Sequence, residues 1–145
     1  MKYFNLIIGI KLLLLASSCN NQEATITYHD AVNGYAETVV VKSANKTEIH
    51  ISGQVGEGNT LEVQMRNALE NLRNQLQKHG ADYENLIKVN TYIADYKHED
   101  LEIFRNVRKE IFGTSIVPAS TLVGVQSLAI PEWRIEIDAL AIVVE

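Results

Sequence analysis

Few residues in this chain are of a type that does chemistry, and their spacing narrows what they can do. The only cysteine is Cys19, and it follows the small residues Ala16, Ser17 and Ser18. The four histidines, His29, His50, His79 and His98, lack the paired helical spacing of a metal site, so no metal is expected. Arg134, Glu136 and Asp138 alternate near the C-terminal end, which on a strand puts one base and two acids on the same face. An Arg–carboxylate pair there would contribute little if exposed. Ser120 and Thr121 bring adjacent hydroxyls, but no histidine stands in a pattern that would activate either as a nucleophile. Gly53, Gly56 and Gly58 mark a loop without the Lys-Ser/Thr of a phosphate-binding motif, so no nucleotide cofactor is expected. Trp133 is read as an anchor for the end of a sheet.

Cys19 gains meaning from what precedes it. Lys2 opens a positive start, and an apolar run from Leu6 to Leu15, broken only by Gly9 and Lys11, leads to the small residues. That is the pattern of a signal peptide, and the run is too short for the roughly 20 apolar residues of a membrane span. Ala16-Ser17-Ser18-Cys19 looks like a bacterial lipobox, in which the cysteine is acylated and becomes the first residue of the mature protein. Residues 1–18 are therefore expected to be a lipoprotein signal peptide, and the product an exported protein anchored by lipid on the periplasmic side or the cell surface. Without Lys2 and Lys11, 11 basic residues face 18 acidic ones, a net charge of −7. No basic run remains to follow a phosphate backbone, so nucleic acid is not an expected partner.

The rest of the chain must position these groups. Residues 19–33 are polar and aperiodic at their start and are read as a tether, leaving 34–145 as one domain. A β-branched run, Thr38-Val39-Val40-Val41, and a second segment carrying Ile49 and Ile51 predict a hairpin across Ser43–Lys46. Leu61, Met65, Leu69, Leu72 and Leu76 follow at helical spacing after a cap at Asn59 or Thr60, and Gly80 is placed just past the helix end. Ile87, Val89, Thr91 and Ile93 alternate as a strand. Leu101, Phe104, Val107 and Ile111 stripe a second helix ended by Gly113, and strands follow at 120–125 and 133–144. The order β-β-α-β-α-β-β predicts an α+β domain of two layers, with both helices on one face of a mixed sheet. Val39, Val41, Leu140, Ile142 and Val144 make the other face apolar, and an uncovered apolar face predicts self-association.

Four strings in this order resemble the Rid family (reactive intermediate deaminase, also YjgF or L-PSP). They are Ile51-Ser52-Gly53-Gln54, Val107-Arg108-Lys109-Glu110-Ile111-Phe112-Gly113, Val117-Pro118-Ala119-Ser120-Thr121 and Ile135-Glu136-Ile137-Asp138-Ala139. The resemblance implies a homotrimer with small-molecule clefts between subunits and, in its best-known branch, hydrolysis of amino-acid-derived imines and enamines. It implies that Glu136 positions or activates water and that Tyr35 lines the cleft; Ser120 and Thr121 are substrate-binding candidates through their hydroxyls, which could donate to a ligand or merely to strand backbone. An arginine that grips the substrate carboxylate follows Pro-Ala in that branch; here the position is Ser120. Arg105, where the second helix often has a site-reaching asparagine, is a candidate substitute for the missing charge. The reading is a divergent imine or enamine hydrolase acting on a substrate held without that arginine, or alternatively a non-catalytic metabolite-binding lipoprotein or envelope scaffold.

Overall fold

A computed structural model of the chain describes residues 23–144. Cys19, and with it the expected signal peptide and lipidation site, lies outside the described residues. Six strands and two helices follow in order: β1 (Thr25–Val32), β2 (Tyr35–Lys42), β3 (Lys46–Val55), α1 (Leu61–Lys78), β4 (Leu86–Ala94), α2 (Asp100–Phe112), β5 (Ala119–Val125) and β6 (Ile135–Val144), with a short 3-10 turn at Tyr83–Asn85 before β4. The strands form one sheet in the order β1-β2-β3-β6-β4-β5. Every neighbouring pair is antiparallel except β4–β5, which is parallel across the α2 crossover.

The expected α+β architecture is present, with one strand more than the sequence pattern suggested. Residues 25–32, read as part of the tether, are β1, paired with β2 from Thr25↔Lys42 to Val32↔Tyr35. The hairpin turns on Asn33 (φ 52°) and Gly34 (φ 90°), two consecutive positive-φ residues of the kind that tight two-residue turns demand. β1 is an edge strand with both faces largely exposed, so it carries no inward apolar stripe.

Thr60 caps α1 by accepting a hydrogen bond from the Val63 amide, and Gly80 (φ 73°) closes the helix. The Gly80 amide bonds to the Gln77 carbonyl and the Ala81 amide to that of Leu76, the paired bonds of a Schellman end. The α1 stripe of Leu61, Met65, Leu69, Leu72 and Leu76 is buried, as are Phe104, Val107 and Phe112 of α2. Ile49, Ile51, Val89, Ile93, Ile135 and Ile137 meet them from the sheet. Truncating a fully buried leucine such as Leu72 removes about 2–5 kcal/mol.

Ile87 does not join that core as the alternation suggested. The β4–β6 register shifts between Leu86 and Lys88, so Leu86 takes the inward place and Ile87 is 43% exposed. A bulge inverts which side of the strand a residue faces. The sheet face away from the helices carries Val39, Val41, Leu140 and Ile142, all half-buried, with Ile26, Tyr28 and Val144 exposed beside them. Among the described residues no helix is long and apolar enough to cross a membrane.

Candidate functional site

A second bulge builds the cleft. The β3–β6 register shifts between Ile51 and Gln54, beside the start of β6. Gly53 lies in that shift, and a Cβ built on it would stand 1.8 Å from Glu136 Oε1. Only glycine leaves the Glu136 side chain this place, a close approach of the kind for which a strand glycine is used. Tyr35, Glu37, Gly53, Gln54, Trp133 and Glu136 line a cleft of about 700 Å³. Glu136 also borders an adjoining depression of about 330 Å³ with Tyr92 and Leu128.

The two glutamates of the cleft are treated differently. Glu37 accepts hydrogen bonds from the Tyr35 hydroxyl (3.3 Å) and Gln54 Nε2 (3.2 Å). Gln54 is buried and also bonds to the Ser52 carbonyl at 3.0 Å, while Ser52 Oγ donates to the Ala36 carbonyl at 2.6 Å. These bonds tie the start of β2 to the bulge. Glu136 is half-buried, and burial, followed by the charge of Asp138, raises its carboxyl above the usual glutamate range. No donor within the described residues bonds to it. A carboxylate in this state is a stronger base than an ordinary glutamate and has acceptor capacity to spare. Asp138 takes Asn90 Nδ2 at 2.7 Å, and the Tyr92 hydroxyl is raised by burial and then by Asp138.

Arg134 is not the partner of Glu136 that shared strand parity suggested. Its guanidinium turns to the Ala94 carbonyl (3.0 Å) and to the buried Asp100 (3.5 Å), tying the start of β6 to the end of β4 and the start of α2. Trp133 lines the cleft as well as standing at the sheet end.

Of the predicted site residues, Glu136 and Tyr35 meet in the cleft and the others do not join them within one chain. Ser120 pairs with Val89, so it faces the helices, where Arg108 donates to its hydroxyl. Thr121 faces the other way, accepting from Lys88 Nζ at 2.8 Å on the outer strand β5. Arg105 is exposed on α2, one residue beyond the inward Phe104, with the sheet between its helix and Glu136. Within one chain it does not reach this cleft. The half-buried guanidinium on α2 is instead Arg108, stacked 5.3 Å from the Phe104 ring centre and 5.2 Å from that of Phe112. Glu37 and Gln54 were not among the candidates. Their signal in the sequence is slight: a lone acid two residues after Tyr35 in a β-branched strand, and an amide after Ser-Gly.

The sequence from residue 25 to 143 matches the family model described as endoribonuclease L-PSP. The chain belongs to that family. Solved structures of the same family share its fold. Rv2704 from Mycobacterium tuberculosis, a member of the YjgF/YER057c/UK114 family, superposes with a TM-score of 0.69 at 24% identity, over 83% of this chain and 100% of that one. NMB1025 from Neisseria meningitidis, a YjgF-family protein, gives 0.69 at 27% identity over 81% and 93%. A putative endoribonuclease L-PSP from Entamoeba histolytica gives 0.67 at 22% identity over 82% and 98%. No curated protein gives a significant match. The family match begins at the first residue of β1, so the family domain takes in the strand that the sequence pattern had left in the tether.

Proposed function

We propose that this L-PSP/YjgF-family chain hydrolyses an imine or enamine that is held without a carboxylate-gripping arginine. The observation that carries the reading is the Glu136 carboxylate: half-buried, raised in pKa, without a donor, and lining the cleft with Tyr35. Water adds across C=N, giving up one proton to Glu136, and the resulting carbinolamine collapses to a carbonyl compound and ammonia as that proton passes to the leaving nitrogen. Self-association through the apolar sheet face would place such clefts at subunit boundaries. The family description and one structural relative name an endoribonuclease. The two carboxylates of this cleft, with no cationic side chain lining it among the described residues, do not suit a phosphate backbone.

The test is ammonia release from a panel of imines with and without a carboxylate, using the full chain. Glu136→Ala is expected to lower the rate by about 10²–10⁴-fold, the range for loss of a general base. No turnover above background across the panel ends the hydrolase reading. Ser120 at the place of the family arginine favours a second reading, a non-catalytic binder of a small metabolite. Under that reading a ligand raises the melting temperature while no imine is consumed.

The cellular setting is proposed from Cys19: an exported lipoprotein carrying this domain. Cys19→Ala is expected to move the chain from the membrane fraction to the soluble one. Unchanged membrane association would overturn this.

A further inference from the structure

Within one chain, charge in the cleft is one-sided. Glu37 and Glu136 both line it, and among the described residues no lysine, arginine or histidine does. The adjoining depression around Tyr92 and Leu128 adds no cation. Other carboxylates of the chain have found theirs: Asp82 has Arg73, Asp30 has Lys78, and Glu62 and Glu110 share Arg66. Glu37 has only the neutral donors Tyr35 and Gln54, and Glu136 has none.

Apart from the two acids the lining is neutral and includes two aromatic side chains. Tyr35 and Trp133 line it with the apolar Ile130 and Val55, and the remaining polar groups, Ser52, Gln54 and Asn71, are neutral. A cation over an aromatic face is attracted by the ring quadrupole, and more strongly when water is excluded. A ligand carboxylate would instead add a third negative charge to a site already carrying two.

We propose that the cleft takes an organic cation, a protonated imine or amine on an apolar body without a carboxylate, its nitrogen between Glu136 and Glu37 and its body against Tyr35 and Trp133. This rests on the reading of the cleft as a ligand site and fixes the substrate class there. Protonation makes the imine carbon more electrophilic, so the same charge that is recognised also prepares the attack by water. Asp138 lies near enough for its charge to act on Glu136, and Tyr92 borders the adjoining depression with it.

Calorimetric titration of the full chain at pH 7 with benzylamine, benzyl alcohol and benzoate tests this, since the three probes share a body and differ in charge. Benzylammonium is expected to bind at least tenfold more tightly than benzyl alcohol, and benzoate more weakly than either. Glu136→Gln should remove most of that preference and Glu37→Gln part of it. The proposal is overturned if benzoate binds as tightly as benzylammonium, if the preference survives in both variants, or if none of the probes binds. Equal kcat/KM for imines with and without a carboxylate would also overturn it while leaving the hydrolase reading intact. A clear preference for the cation with no turnover of any imine would support it and end the hydrolase reading instead.

Discussion

Asp82 and Glu136 are both partly buried acids, and the chain surrounds them in opposite ways. Asp82, between α1 and β4, accepts from Arg73 Nε (2.9 Å) and Nη2 (2.8 Å), from the Tyr83 amide (2.8 Å) and from Gln77 Nε2 (3.3 Å). The Arg73 bonds lead in pulling its pKa down to about 2. Glu136 has burial and Asp138 acting against its charge and no donor acting for it. One acid is satisfied by the fold it helps to close. The other keeps its acceptor capacity directed at a cleft. A perturbed pKa alone marks both; the direction of the shift and the presence of donors separate structure from site.

The largest test of that contrast is Gly53→Ala. The added methyl would meet the far end of a flexible Glu136 side chain, so the chain should fold while the carboxylate is displaced. Loss of about 10²-fold in ammonia release with little change in melting temperature is expected, since small misplacements of a reacting group carry that penalty. An unaltered rate would show that the carboxylate's place does not matter. Asp82→Ala should do the reverse, lowering stability by about 1–2 kcal/mol through loss of its capping and Arg73 bonds while leaving turnover unaltered. Denaturant unfolding measures the first and the imine assay the second.

Smaller effects, on stability, come from the titration of Glu136 itself. With its folded-state pKa raised above the unfolded value, its contribution to stability is full below the unfolded pKa and is lost as pH rises through the folded one. At neutral pH the charged form therefore weighs against the fold. Glu136→Gln is expected to raise the melting temperature slightly at pH 7 while turnover falls as it does in Glu136→Ala, a trade often met at active sites. Asp82 has the opposite sign: its depressed pKa gives stability present above 3.8 that is lost as pH falls toward 2. The least of the effects is Asp138→Asn, which should shift the acid limb of the pH–rate profile to lower pH by removing the nearby charge. A limb that does not move would show that another group sets it.

Much of this contrast was invisible in the sequence, although most of the fold was not. The leucine stripe of α1 and the alternation of β3 and β6 announce their buried faces because a one-sided burial imposes a period. β1 has no such period, as an edge strand exposed on both sides, yet Asn33-Gly34 between Val32 and Tyr35 was a hairpin signal in plain view. Strand parity placed Glu136 correctly on the open face but paired it with Arg134, because parity cannot show that a side chain at the strand's end reaches around to Asp100. Glu37 and Gln54 join the site only through the β3 bulge, and a bulge leaves no periodic trace. Ser120 and Thr121 are neighbours in sequence and so face opposite sides of the sheet. One chain cannot bring both to the same ligand.

The place of β6 in the sheet has a consequence for when this domain can form. It is paired between β3 and β4, so the two halves of the sheet meet only through residues 135–144. Those residues pair with partners such as Ile51↔Ala139, joining segments far apart along the chain, and such non-local closure is slow compared with hairpin or helix formation. On a ribosome, the β1–β2–β3 meander and α1 would be finished long before the strand that seats them against β4. Until then the core stays open, and the apolar faces of α1 and β3 wait for the strand that covers them.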